Sequence, residues 1–260
     1  MKTLTRIWNV RYFWMHLALS DLRAKFRRSY FGILWAILNP LLLTLLMTFV
    51  MSTIFNVPPG DYAPYVFSGL IIWDVIVSSS ITGCTTFVNA EGYIKQYPHP
   101  LMIYPIRNVL VAIIHFGFGF IGLFLWILFV KPENLNWTFF WCIPGMIVLA
   151  LIALPLATIC GILNTKFRDF AQLVVLIFQA IWYISPIFIS VEALQASRHL
   201  AGLVNYNPVY HILNIIRAPI LHGQSPVAEN FIYAGGVIII FWLIAFVMLR
   251  RNERTLIFYL

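Results

Sequence analysis

Five polar residues, Asp74, Ser78, Thr82, Thr85 and Asn89, recur at steps of four and three in a stretch of otherwise mostly apolar side chains. At 3.6 residues per turn this spacing puts an acid, three hydroxyls and an amide on one face of one helix. Gln172, Gln179, Tyr183, Pro186 and Ser190 make a second stripe. Thr44, Thr48 and Ser52 make a third, with Asn39 to one side. Such groups can hydrogen-bond helix to helix, or they can line a path for a hydroxyl-rich solute that needs weak, repeated contacts. The stripes alone favour packing. Asp74 can hold a coupling proton or a structural hydrogen bond, and the absence of a basic residue near it in sequence puts the structural role ahead. Trp35, Trp73, Trp126, Trp182 and Tyr183 lie deep in their segments, where they pack on helices and lipid and where sugar rings also stack.

Nucleophilic, metal and nucleotide chemistry have no such footing. The patterns G-x-x-x-x-G-K-[ST], H-E-x-x-H and G-x-S-x-G are absent. Gly117 to Gly122 fits G-x-G-x-x-G, but it lies in the middle of an uncharged run, where small residues serve close helix packing. Cys84, Cys142 and Cys160 are odd in number, form no C-x-x-C and sit in apolar runs. They read as buried small hydrophobes, with no disulfide and no metal site.

The composition says what must position these residues. Of 260 residues, 61% are hydrophobic and 10% charged, with a mean hydropathy of +0.87. That is too little polar surface for a soluble enzyme, a disordered chain or a nucleic-acid binder. Six stretches are long enough to cross a bilayer as helices: 29–60, 62–90, 108–130, 134–165, 170–191 and 230–249. Continuous apolarity selects helices over a barrel. With six crossings both termini share one side, and that side receives all of the 17 Lys+Arg except Lys131, Arg198 and Arg217. The positive-inside rule makes it the cytoplasm.

Residues 1–30 carry an apolar stripe, Leu4, Trp8, Tyr12, Met15, Leu19, Leu22 and Phe26, among basic residues. This suits a helix lying along the cytoplasmic membrane surface. Phe13, Trp14 and Leu17 fall off the stripe, as a helix packed partly on protein would place them. Residues 192–229 are semi-apolar and broken by Asn207-Pro208, Arg217-Ala218-Pro219 and Gly223, and fit either short re-entrant helices or an extracytoplasmic loop. The chain thus reads as one all-α transmembrane domain over 1–260: interfacial helix 1–30, five spans over 31–191, extracytoplasmic region 192–229, and last span with cytoplasmic tail 230–260.

Four strings in order resemble the type-2 ABC exporter permeases, in the branch that exports O-antigen, capsule and teichoic acid. They are Arg28 to Trp35 with Asn39-Pro40-Leu41; Ile94 to Pro98 through Pro105; Lys166 to Asp169 with Gln179 and Tyr183 to Ile187; and Asn207-Pro208, Tyr210-His211 with Arg217 to Ile220. Gln96 and His99 depart from the family's basic loop. The resemblance implies a homodimer in the bacterial inner membrane, paired with two copies of a separate ATPase that binds ATP and Mg2+, with no cofactor and no catalysis in this chain. It implies a coupling helix at Glu91, Gly92, Tyr93, Ile94, Lys95, Gln96, Tyr97 and Pro98. A polyprenyl-diphosphate-linked polysaccharide is the implied cargo. Residues assigned to its path are Trp35, Asn39, Asp74, Ser78, Gln179, Trp182, Tyr183 and Pro186. Arg27 and Arg28 are assigned to the lipid-diphosphate entrance, and Tyr206, Asn207, Pro208, Tyr210 and His211 to an outer gate. The alternatives are the same architecture with a small lipophilic cargo and a proton-driven carrier centred on Asp74. A membrane enzyme ranks below both, because Glu133, Glu192 and Glu229 are scattered.

Overall fold

The computed structural model describes residues 2–55, 57–97, 99–191, 194, 201–253 and 255–260. Pro98, Glu192, Arg198 and Arg254 lie outside them. The described residues form an all-helical protein without strands. In order the helices are α1 (Lys2–Asn9), α2 (Arg11–Phe26), α3 (Trp35–Phe55), α4 (Pro59–Cys84), α5 (Glu91–Gln96), α6 (Ile103–Val130), α7 (Cys142–Lys166), α8 (Phe170–Ile184), α9 (Ala201–Tyr206), α10 (Pro208–His222) and α11 (Ala228–Asn252). Five segments are long and apolar enough to cross a membrane: Gly32–Ile54, Pro59–Cys84, Ile103–Val130, Trp137–Lys166 and Ala228–Asn252.

Helix α4 is the axis of the bundle. Pro59 starts it, where a missing N–H costs no hydrogen bond, and Asp61 in its first turn complements the helix dipole. In its most apolar window 72% of the residues are buried, against 11% in α11 and 17% in Gly32–Ile54. Small residues let the neighbouring backbones close on it. A Cβ at Gly83 would stand 2.7 Å from Ala157 Cα of α7, and one at Gly161 would stand 2.9 Å from the Gly83 carbonyl oxygen. On the other side a Cβ at Gly119 of α6 would lie 2.8 Å from Ile71, and one at Gly122 would meet Ile37 at 3.1 Å. Gly119 and Gly122 of the G-x-G-x-x-G string are therefore packing residues, while Gly117 faces open space. All three cysteines are free and buried.

The fifth apolar run departs from its expected bounds. Helix α8 stops at Ile184, after 15 residues. At 1.5 Å per residue it is about 22 Å long, shorter than the roughly 30 Å hydrocarbon core. Ser185 precedes Pro186, whose ring disfavours helical backbone at the residue before it. Ser185 is accordingly extended, with φ -96° and ψ 145°. Even so, α8 and the segment after it follow nearly the whole of α4. Phe170 and Val174 pack beside Cys84, Phe178 and Trp182 meet Trp73, and Phe188 lies at Tyr62.

At the opposite end, the amino-terminal stripe divides. Trp8, Tyr12, Met15 and Leu19 are exposed, whereas Phe13 and Trp14, off the stripe, pack into a cluster with Phe87, Ala90, Leu101, Tyr104 and Leu256. Two helices meeting at Val10 replace the single one expected.

Glycine-mediated contact makes a direct test. Gly83→Ala should lower thermal stability in detergent by about 1–3 kcal/mol, because backbone atoms of α7 cannot yield to the methyl group. In α5 a Cβ at Gly92 meets nothing within 4 Å. Gly92→Ala should therefore be neutral or raise stability by about 0.5–1 kcal/mol.

Candidate functional site: a polar groove along α4

The α4 stripe forms the exposed edge of an otherwise buried helix. Asp74, Thr82, Thr85 and Asn89 are exposed, while Ser79 and Ser80 beside them are fully buried. The Thr82 and Thr85 hydroxyls do not bond across helices, against the packing reading for this stripe, while Thr44 and Thr48 of the α3 stripe are buried as that reading expects. Thr82 Oγ1 donates to its own helix at Ser78 O (2.7 Å) and Thr85 Oγ1 to Thr82 O (3.2 Å). Asn89 Nδ2 donates to Thr85 Oγ1 at 3.3 Å. The contact across helices comes from an amide instead: Asn108 Nδ2 of α6 donates to Thr82 O at 3.0 Å. Turning the Thr82 and Thr85 hydroxyls back on backbone carbonyls satisfies their donors and leaves these exposed side chains at the groove, whereas Ser78 Oγ is buried without a hydrogen-bond partner among the described residues.

Three cavities follow one another along this face. The first, 280 Å³, lies between α2, α4 and α6 and is lined by the stripe together with Asp21, Lys25, Arg107, Asn108 and His115. The second, 220 Å³, shares Asp74 and His115 with it and adds Asn39, Trp73, Phe116 and Trp182. The third, 320 Å³, shares Trp73 and Trp182 with the second and reaches Gln179 and Tyr183. A polar wall thus leads into an aromatic one. Trp73 and Trp182 stand with ring centroids 5.8 Å apart, and Trp182 stacks on Phe188 at 5.8 Å.

Of the residues expected on a path, the structure gathers Asn39, Asp74, Ser78, Gln179, Trp182 and Tyr183 on these cavities. It sets two apart. Trp35 is exposed at the start of α3, edge-on to Phe31 at 5.7 Å. Pro186 is buried, and its carbonyl accepts from Arg217 Nη1 at 2.5 Å and Tyr65 Oη at 3.0 Å. Arg27 and Arg28 are exposed beyond the end of α2 and line none of the three. Lys25, Arg107 and His115 line the first cavity instead. The sequence held one signal for these: polar residues of α6 at Asn108 and His115, seven apart and so on one face. Arg107 forms an ion pair with Asp21 (Nε to Oδ2, 2.7 Å). Burial pushes the Asp21 carboxyl above its ordinary value, with Arg107 pulling the other way.

Below the groove, α5 stands out as a short exposed helix. Glu91 and Lys95 pair across one turn at 2.5 Å, and Tyr93 and Tyr97 are exposed. Phe13 of α2 meets Tyr93 edge-on at 5.8 Å and His99 at 5.0 Å.

At the far end Asn207 caps α10, accepting from Val209 N at 2.9 Å, and donates to Ser185 Oγ at 3.0 Å. Tyr206 is exposed, and Pro208 opens α10. Tyr210 and His211 line a 640 Å³ cavity at this end. His211 is buried, 2.9 Å from Asn230 Oδ1 and 2.8 Å from the Asn205 carbonyl oxygen, with its ring stacked on Tyr233 at 4.0 Å. Arg217 spends its whole guanidinium here: on Ser68 Oγ (3.2 Å), Tyr65 O (2.9 Å), Pro186 O and Ile187 O (2.8 Å), over the Tyr65 ring at 3.8 Å. Asn136 donates to Gly223 O at 2.9 Å.

Apolar helices around one polar-edged helix, with cavities running along that edge, define an integral membrane protein built about a polar path. Residues 13–221 match the family model described as ABC-2 type transporter, and the chain belongs to that family, whose members are transport subunits. Similar proteins include two named O-antigen export system permease protein RfbA from Klebsiella pneumoniae. One is 27% identical over 207 residues and the other 26% identical over 193, covering 78% and 73% of each chain respectively. A third of that name, from Myxococcus xanthus, is 22% identical over 245 residues, 92% of each chain.

In a variant with its three cysteines replaced by alanine, single cysteines at 78, 82, 85 and 89 should react in membranes with a water-soluble maleimide. Cysteines at 79 and 80 should not. Equal labelling of both sets would remove the groove.

Proposed function

We propose that this chain is the membrane-spanning permease of an ATP-driven exporter that moves a polyprenyl-diphosphate-linked polysaccharide from the cytoplasm across the bacterial inner membrane. Two copies enclose the path, and each rests on one copy of a separate ATPase that binds ATP and Mg2+. The groove along α4 carries this reading. Thr82, Thr85, Asn89, Gln179 and the Tyr183 ring are exposed in the single chain, and lipid tails offer such groups nothing. A second copy facing a wet path satisfies them. Weak contacts of this kind let a hydroxyl-rich polymer bind and leave. The relatives named as O-antigen export permeases support the cargo class.

Helix α8 with residues 185–191 makes the sixth crossing, supported by its course from Cys84 to Tyr62 along α4. Both termini are then cytoplasmic, on the side that holds nearly all cations. The exposed stripe of α1 and α2 lies on the membrane, and α9 and α10 form the re-entrant outer gate. The coupling helix is α5, with Pro98 after it. ATP binds the closed ATPase pair more tightly than the open one, and that difference in affinity drives the bundles between states.

Replacing Tyr93 through Tyr97 with Gly/Ser should abolish surface polymer while the ATPase keeps hydrolysing ATP; unchanged export would overturn the coupling role. Trp182→Ala with Tyr183→Ala should impair polymer passage in a well-expressed protein, whereas normal surface polymer would refute their lining role. Export that persists with an inactive ATPase, and stops with an uncoupler or with Asp74→Asn, would make the chain a proton-driven carrier.

A further inference from the structure

The first cavity holds cations that passage of a neutral polymer does not use. Arg107, in the second turn of α6, is 8% exposed. Among the described residues Asp21 is its one ion-pair partner, and no hydrogen bond is made by its Nη1 or Nη2. A five-donor fork meets a single carboxylate oxygen, so most of its capacity remains for an oxyanion. Lys25, one turn beyond Asp21 on α2, lines the same 280 Å³ and makes no ion pair among the described residues. The other acid of the cavity, Asp74, lies toward its His115 end, near enough to Lys25 for the two charges to act on each other, and away from the Asp21–Arg107 pair. Asp74 stands eight residues along α4 from Thr82, where Asn108 docks. That separation is about 12 Å at the helical rise.

We propose that the α2 end of this cavity is a phosphate site. Arg107 and Lys25 grip the phosphate or diphosphate of a lipid headgroup, and Asp21 fills the Arg107 position while the site is empty. The site rests on the export reading only for its lipid source. Its chemistry follows from the fork, which takes phosphate oxygens in the geometry in which it takes a carboxylate. Lys25 supplies the second charge that a diphosphate needs. Asp21 is suited to give way, since burial disfavours its ionised form. Because Asp21 and Lys25 ride on one helix, arrival of the anion breaks a tie between α2 and α6 and forms one between α2 and the ligand.

The test is calorimetric titration of the full chain in phosphatidylcholine nanodiscs with farnesyl diphosphate, farnesol and inorganic pyrophosphate. Farnesyl diphosphate should bind and farnesol should not. Lys25→Gln and Arg107→Gln should each weaken binding by about tenfold or more. Arg107→Lys, which keeps the charge and loses the fork, should fall between. Asp21→Asn should tighten binding by roughly threefold to tenfold, since it removes the competing carboxylate. An ion pair that only braces α2 predicts that Asp21→Asn and Arg107→Gln weaken binding alike, and that result would overturn the proposal. So would a folded chain that binds neither phosphate probe. Preference for farnesyl diphosphate over pyrophosphate identifies a lipid headgroup, and equal binding identifies a soluble anion at the same site. Export that requires an active ATPase in a protein that binds no diphosphate would sink this site and spare the exporter. Diphosphate binding with ATPase-independent export would do the reverse.

Discussion

Hydrocarbon neither donates nor accepts a hydrogen bond, and each polar group placed in it must find a partner within the protein or in water held by the protein. The two ends of this molecule answer that constraint in opposite ways. At one end, Ser185-Pro186 unwinds α8 and frees a run of carbonyls. Side chains from other elements take them: Asn207 at Ile184, Arg217 at Pro186 and Ile187, Tyr62 at Phe188, and Tyr65 at Pro186 and Ile189. The irregular backbone is thereby sealed. A Cβ at Gly69 would collide with both Arg217 and the Ile187 carbonyl, so that glycine belongs to the same device. In the other half the α4 stripe finds, among the described residues, no such partner on another helix except Asn108, and the groove stays open.

Arginine is the side chain this seal requires. Its fork reaches four acceptors on two elements, and its planar face lies on Tyr65. A lysine at 217 would supply a single nitrogen where three nitrogens are now engaged. The buried cation has no carboxylate beside it among these contacts. It is stabilised by carbonyl dipoles and a ring, which neutralise charge less completely and fix geometry more sharply.

Run length made the membrane-crossing helices legible in the sequence, because about 20 apolar residues have few other uses. Periodicity made the stripes legible too, since a helical face is a local property. What the stripes do was not local. A hydroxyl that bonds back to its own helix and one that bonds across look alike until the neighbour's position is known, and Thr82 and Thr85 chose the former. The end of α8 was written in Ser185-Pro186, although internal prolines at 40 and 155 that leave α3 and α7 helical weaken that signal. Arg107 and Lys25 stayed hidden for another reason. Cations at the ends of apolar runs satisfy the positive-inside rule wherever they point, and only the fold turns these two into one cavity. Phe13 and Trp14, by contrast, disclosed themselves by falling off their stripe, since an apolar residue on the wrong face needs protein to cover it.

The amino-terminal helices then hold a particular mechanical position. Phe13 bears on Tyr93 and His99 at the two ends of the α5 turn, and Trp14 and Val10 enter the cluster that Leu256 of the carboxy-terminal turn completes. Two turns beyond Phe13, the same helix places Asp21 against Arg107 and Phe26 parallel to the His115 ring at 6.3 Å. One rigid rod of 16 residues thus joins the exposed helix at the base to the mouth of the groove. Close-packed clusters do not deform continuously, so a displacement of α5 is passed to α2 as a rigid-body movement. At its far end that rod is tied to α6 by the Asp21–Arg107 ion pair and by Phe26 on the His115 ring, so under the export reading proposed above a movement of α5 would reach the groove through this contact.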